Sequence, residues 1–300
     1  MRPLVTAILV ASSLLVGTAR ADSDSLDDML GPREIAVGEA MRGGATGASS
    51  IGLNPAGLPL NRELVFEGGY GYRESDSASL IGVSACDSTN AVPGCFFYEY
   101  AGSSPELGGV TGSRTTHIFG STLSRMITPR VMIGATTKYF RFSSDVMDED
   151  AKSGFSFDLG TTLRVTEMIS LGVSGQNLVG TADSTQFPRA AGGGIMVRPI
   201  DMLSLSFDSR WKTDGNGARY GGGGELFLRA GSYGLPLRIG GLADSGLDTS
   251  YITGGLGIAN IRWGLDIAAR RELKGGDETL ILASMRFYGP RLGATPLDLQ

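Results

Sequence analysis

From residue 63 onward the chain alternates apolar and polar residues with a period of two, in runs of about ten residues. In "FSFDLGTTLRV", Phe155, Phe157, Leu159, Leu163 and Val165 fall on one face, and Ser156, Asp158, Gly160, Thr162 and Arg164 on the other. "LSLSFDSRW" does the same with Leu203, Leu205, Phe207 and Trp211 against Ser204, Ser206, Asp208 and Arg210. "IRWGLDIAAR" repeats the pattern with Ile261, Trp263, Leu265 and Ile267 against Arg262, Gly264, Asp266 and Arg270. Successive side chains of a strand point to opposite faces, so each run is a strand with one greasy and one polar side. Strands of ~9–11 residues exceed the usual length in soluble sheets and match a tilted crossing of a bilayer.

The pattern predicts fourteen strands, near 63–73, 77–86, 95–101, 114–124, 130–142, 153–165, 168–178, 188–198, 202–212, 218–229, 235–243, 249–259, 261–271 and 278–288. Tight turns such as "TE" and "PID" alternate with long polar loops such as "SSDVMDEDAKSG" and "VGTADSTQFPRA". Short turns at one end and long loops at the other mark a transmembrane barrel rather than a sandwich, and lipid forces such a sheet to close because an open edge leaves backbone groups unpaired. The expected fold is an all-β transmembrane antiparallel barrel over 63–288, with an N-terminal hatch over 22–62 and a periplasmic tail over 289–300. Residues 1–21 read as a signal peptide, with Arg2, an apolar run from Leu4 to Val16 and the small-residue site Ala19-Arg20-Ala21. The expected address is the bacterial outer membrane, with its lipid as the first partner.

Losing Arg2 and Arg20 leaves 24 basic residues against 31 acidic ones, net −7, which disfavours a nucleic-acid partner. The 46 glycines among 300 residues, about twice the usual ~7%, suggest bulges and sheet curvature. Cys86 and Cys95 flank a turn-forming "VPG", and in an exported chain they are expected to form a structural disulfide.

The polar faces would line the lumen with Glu67, Arg73, Lys138, Asp158, Gln176, Asp208, Arg210, Arg219, Glu225, Asp266, Arg270 and Arg286. These residues either wall a pathway or form interior ion pairs. Tyr70, Tyr72, Tyr98, Tyr100, Tyr139, Phe140 and Phe142 read as an interfacial aromatic girdle. His117 is the single histidine, so neither a zinc site nor a Ser-His-acid triad has a ligand or base set, and no catalytic residue, metal or cofactor is expected. The acidic run Asp148-Glu149-Asp150 reads as a solvated loop.

The segment before the first strand is small, glycine-rich and turn-forming, which suits a compact hatch. Its run "EAMRGGATGASSIGLNPAGL" resembles the N-terminal hatch of the FadL-type long-chain fatty acid transport superfamily, with Asn54, Pro55 and Ala56 matching the Asn-Pro-Ala motif. "VMIGATTKYF", "FSFDLGTTLRVTEMISLGVSGQNL" and "LRAGSYGLPLRIGGL" look closest to the PorV-type subgroup. The first resemblance implies a hatch-gated channel for small hydrophobic compounds such as fatty acids, with Asn54, Pro55, Ala56, Gly57 and Leu58 at the gate. It also implies an apolar pocket between hatch and wall, with a kink or gap in a wall strand beside it. The second implies a barrel that binds secretion-machinery proteins. The chain departs from FadL-type members in its shorter length and in having polar loops where those members carry long apolar extracellular ones. It departs again in its C-terminus, where Phe287 and Tyr288 stand in for a terminal aromatic.

Overall fold

The computed structural model describes residues 30–107, 110–146, 149–180, 188–212 and 217–289. The signal peptide and the tail beyond 289 lie outside them. Fourteen strands form one closed antiparallel barrel. They are β1 (Leu64–Arg73), β2 (Ala78–Asp87), β3 (Gly94–Ser103), β4 (Arg114–Thr128), β5 (Val131–Ser144), β6 (Lys152–Arg164), β7 (Ile169–Gly180), β8 (Ala190–Ile200), β9 (Leu203–Lys212), β10 (Ala218–Ala230), β11 (Tyr233–Asp244), β12 (Thr249–Ala259), β13 (Trp263–Lys274) and β14 (Thr279–Tyr288). Each strand pairs with the next, and β14 closes on β1 in unbroken register from Val65↔Tyr288 to Arg73↔Leu280.

An even strand number brings residues 64 and 288 to one end, here termed the terminal end. Turns there are mostly tight, as between β8 and β9 or β10 and β11. At the distal end the loops are not uniformly long: β1–β2, β11–β12 and β13–β14 also turn in a few residues. The longer ones follow β3, β5 and β7. A small hairpin, Glu106–Leu107 with Val110–Thr111, decorates the first of these.

Outward faces carry a continuous apolar coat, including Phe66, Phe96, Phe119, Phe155, Val173, Phe207, Trp211, Ile239, Ile267 and Phe287, all at least half or nearly half exposed. In water so large an exposed patch would drive aggregation; in a bilayer it is the solvated surface. No helix among the described residues is long and apolar enough to cross a membrane. The girdle reading holds for Tyr70, Tyr72 and Tyr139, which face outward, but not for Phe140 and Phe142, which are 1% and 3% exposed and point inward. Period two requires this: once Tyr139 faces lipid, Phe140 must face the lumen.

Cys86 and Cys95 are direct cross-strand partners on β2 and β3 and form the disulfide. Both are buried in an inward-facing apolar cluster with Ile51, Leu58, Val65, Phe97 and Phe140.

Candidate functional site

Residues 30–62 pack against inward-facing side chains all around the barrel. Pro32–Ala36 forms the short helix α1, with proline in its first turn, where a missing N–H costs nothing. Ser49–Gly52 forms α2, and Pro55–Leu60 a 3-10 turn. Helix α1 lies against β11 to β14, and the 3-10 turn lies against β4 to β7 on the opposite wall. Between them, Gly38 and Glu39 both take positive φ, at 68° and 61°, reversing the chain.

The segment's backbone presses directly onto wall glycines. A Cβ on Gly221 would sit 1.9 Å from the Gly38 carbonyl oxygen, and one on Gly160 2.1 Å from Asn54 Oδ1. Much of the glycine excess therefore gives room for the interior segment, beyond any curvature of the sheet. Three apolar clusters fill the remaining gaps, each joining segment and wall: Ile51 and Leu58 with Phe97 and Phe140; Ile35 and Ala36 with Leu80 and Leu280; Val37, Met41 and Leu53 with Met196.

Polar contacts fix the register of the segment against the wall. The Arg42 backbone N–H and Nη1 donate to Asp208 Oδ2 at 2.9 and 3.1 Å, and its Nε donates to Ser174 Oγ at 2.8 Å. Ser174 Oγ in turn donates to the Leu53 carbonyl at 2.7 Å. Asn54, fully buried, donates from Nδ2 to the Arg42 carbonyl at 3.0 Å and Thr162 Oγ1 at 3.0 Å, and accepts from Ala56 N–H at 3.2 Å. Gln176 donates to the Gly52 carbonyl. Pro55, Ala56, Gly57 and Leu58 are all buried beneath these contacts.

The charged inward residues fall into tiers. Near the distal end Glu39 accepts from Arg219 and Arg270, both at 3.3 Å; Arg219 also pairs with Asp244 and Arg270 with Glu278. Arg73 pairs with Asp76 at 2.8 Å. At mid-height Lys138 pairs with Asp158 at 2.8 Å and Arg42 with Asp208 at 3.1 Å. Toward the terminal end Arg238 bridges Glu225 and Asp266 at 2.6 and 2.5 Å, and Arg286 also meets Asp266. Glu67 accepts from Ser284 Oγ at 2.8 Å, and Arg210 lies on the inward face opposite Arg219. Interior pairing, which sequence could not assign partner by partner, depends on which strands become neighbours across the closed sheet and on Glu39 and Arg42 of the segment.

Cavities flank the segment. An apolar chamber of about 80 Å³ lies between Leu30–Pro32, Ser49–Gly52 and β1, β2, β3 and β14, and its lining includes Leu80, Phe97, Leu282, Glu34, Glu67 and Glu99 from the inward face and Tyr70, Ile81 and Val83 from the outward face. Burial pushes the Glu34 carboxyl above its usual range, opposed by the neighbouring Arg33 guanidinium; Ser49 Oγ donates to it. At the terminal end a cavity of about 930 Å³ is lined by Arg33, Arg62, Arg229, Arg238, Tyr233 and Tyr288, among others. In the wall beside the 3-10 turn, β6 and β7 slip register between the Phe157 and Leu159 pairs, where Asn177 takes φ 55° and its N–H meets Asp158 Oδ1 at 2.8 Å. This is a β-bulge on the two strands that supply Gly160, Thr162 and Gly172 to Asn54. Among the described residues no cluster of His, Cys, Asp and Glu is arranged to hold a metal ion.

No family model and no curated protein matches the sequence. Solved structures do match. The chain is similar to the CymD monoaromatic hydrocarbon channel, at 11% identity and TM-score 0.67, over 88% of this chain and 98% of that one. It is similar to the Ralstonia pickettii toluene transporter TbuX, at 15% identity and TM-score 0.66, over 86% and 97%. It is also similar to a Pseudomonas aeruginosa FadL homologue, at 11% identity and TM-score 0.65, over 84% and 97%. At these identities the likeness is one of fold, and the fold is the FadL-type fourteen-stranded barrel.

Proposed function

We propose that this protein is an outer membrane channel that passes small hydrophobic compounds, with residues 22–62 as its hatch and Asn54, Pro55, Ala56, Gly57 and Leu58 at the gate. Residues 1–21 direct export and are removed, the terminal end faces the periplasm, and residues 289–300 form a periplasmic tail. The observation that carries this reading is the apolar chamber between segment and wall. A pocket lined by apolar groups with a few convergent polar ones is the usual form of a small-molecule site. The transport described for the hydrocarbon channels of like fold supports the same reading. The comparisons do not favour the secretion-accessory alternative.

The hatch holds the barrel shut through the Arg42–Asp208 pair, the Asn54 hydrogen bonds and the Glu39 bridge. Passage requires part of it to yield, and the bulge at Asp158 and Asn177 lies on the β6–β7 wall that the 3-10 turn packs against. The test is planar-bilayer conductance and hydrophobic-probe uptake for residues 22–300 and for the same chain lacking 42–60. The intact protein is expected to be silent in salt and to pass the probe, and the deletion to conduct steadily. Unchanged conductance and uptake in a folded deletion barrel would refute the hatch.

A further inference from the structure

We propose that the chamber selects compact apolar molecules carrying a cationic nitrogen, such as arylalkylammonium ions, and turns away carboxylates. This rests on the reading of the chamber as the substrate site.

The chamber's apolar walls come from Leu30, Leu80, Phe97 and Leu282, whereas its charged groups are Glu34, Glu67 and Glu99, with no Lys, Arg or His in the lining. Two of these carboxylates are occupied: Glu34 receives the Ser49 hydroxyl and Glu67 the Ser284 hydroxyl. Glu99 takes part in no hydrogen bond or ion pair among the described residues, and Lys138, the neighbouring cation, is engaged with Asp158 at 2.8 Å. Directly across the β2–β3 ladder from Glu99 stands Gly82, where an added Cβ would meet nothing within 4 Å. Open volume therefore lies beside the one unengaged carboxylate. The Ser84 hydroxyl, on the same wall, is buried and also lacks a partner.

A carboxylate facing an apolar chamber is costly unless a positive charge or donor meets it. A ligand that brings an ammonium group removes that cost and leaves its hydrocarbon part against Phe97 and the leucines; a ligand carboxylate brings a further acidic group beside Glu99 with no cation in the lining to meet it. At ~10–15 Å³ per water-sized group, the chamber holds roughly five to eight such groups, the scale of one ring with a short arm rather than an extended acyl chain.

The experiment compares binding of benzylamine, toluene and benzoate to the full-length refolded barrel in detergent at pH 8, by ligand-observed NMR. Benzylammonium is expected to bind roughly tenfold tighter than toluene, with benzoate weakest. Glu99→Gln is expected to lower the benzylammonium-to-toluene affinity ratio roughly tenfold, and Gly82→Leu to abolish binding by filling the chamber. Glu67→Gln gives a second reading of the ratio if Glu99→Gln does not migrate as a folded barrel. Toluene binding lost in Gly82→Leu but with no preference for the amine overturns the charge selection and leaves the chamber as a site. Binding of no ligand, or toluene binding that survives in Gly82→Leu, overturns the chamber reading itself and the selection with it.

Discussion

Asn54 shows how one side chain ties the interior segment to the wall. Its amide donates to Arg42, Thr161 and Thr162 while its oxygen caps the 3-10 turn at Ala56. Asn54→Ala leaves buried acceptors unmet and is expected to cost roughly 1–3 kcal/mol, the usual penalty for an orphaned buried polar group. Asn54→Asp should cost more, because it sets an acceptor against the Arg42 and Thr161 carbonyls. Thermal unfolding followed by heat-modifiable gel migration checks the order, and an Asp variant as stable as wild type would refute this role. Gly160→Ala tests the same contact from the wall: the new Cβ would fall 2.1 Å from Asn54 Oδ1, so the segment must move. Faster hydrogen exchange at residues 54–58 than in wild type is the expected outcome. Asn54-Pro55-Ala56 was visible as a motif in sequence. The wall glycines that receive it were not, since nothing in a linear chain says which glycine meets which backbone.

At the scale of elements, the loops after β3 and β5 clasp one another at the distal end. Ser113 N–H and Oγ donate to Asp145, the second at 3.1 Å, and Arg114 and Ser144 donate to Glu149 at 2.8 and 2.6 Å. Glu149 thus belongs to a clasp and not to a merely solvated acidic run. The hydrogen bonds from Ser113 hold Asp145 below its usual range. Burial raises Glu149, but the bonds from Arg114 and Ser144 outweigh it and hold it low. Because both carboxyls are lowered in the folded state, their contribution is complete above the ordinary carboxylate range and is lost as pH falls through the lowered values. Limited proteolysis of the two loops is therefore expected to be constant from pH 7 to about 5 and to accelerate below about 4; equal rates across that range would refute the clasp. At the other end, the Cys86–Cys95 bridge ties β2 to β3. Cys86→Ala with Cys95→Ala should cost about 2.7 kcal/mol in the chain-entropy view of a ten-residue loop, read as a lower unfolding temperature.

For the molecule as a whole, closure of the sheet gives every strand two partners, so the barrel should resist unfolding as a unit. The expected result is heat-modifiable migration, with a compact species that persists in detergent until boiled; a single unfolded band without heating would contradict closure. Sequence by itself determined the period, and with it the fourteen strands and the two faces of each, though β4 runs to Thr128, four residues past its expected end. A two-residue repeat is local physics, and an apolar stripe of bilayer length has one stable outcome. The Cys86–Cys95 pairing was equally local, since the two residues meet across one turn. Only the tertiary structure decided where residues 30–62 go, which arginine meets which carboxylate, and where a cavity remains. The placement of the segment follows from contacts between residues more than a hundred positions apart, such as Arg42 with Asp208 and Glu39 with Arg270. No periodicity records such distances: they exist only once β14 has closed on β1 and the segment is held inside.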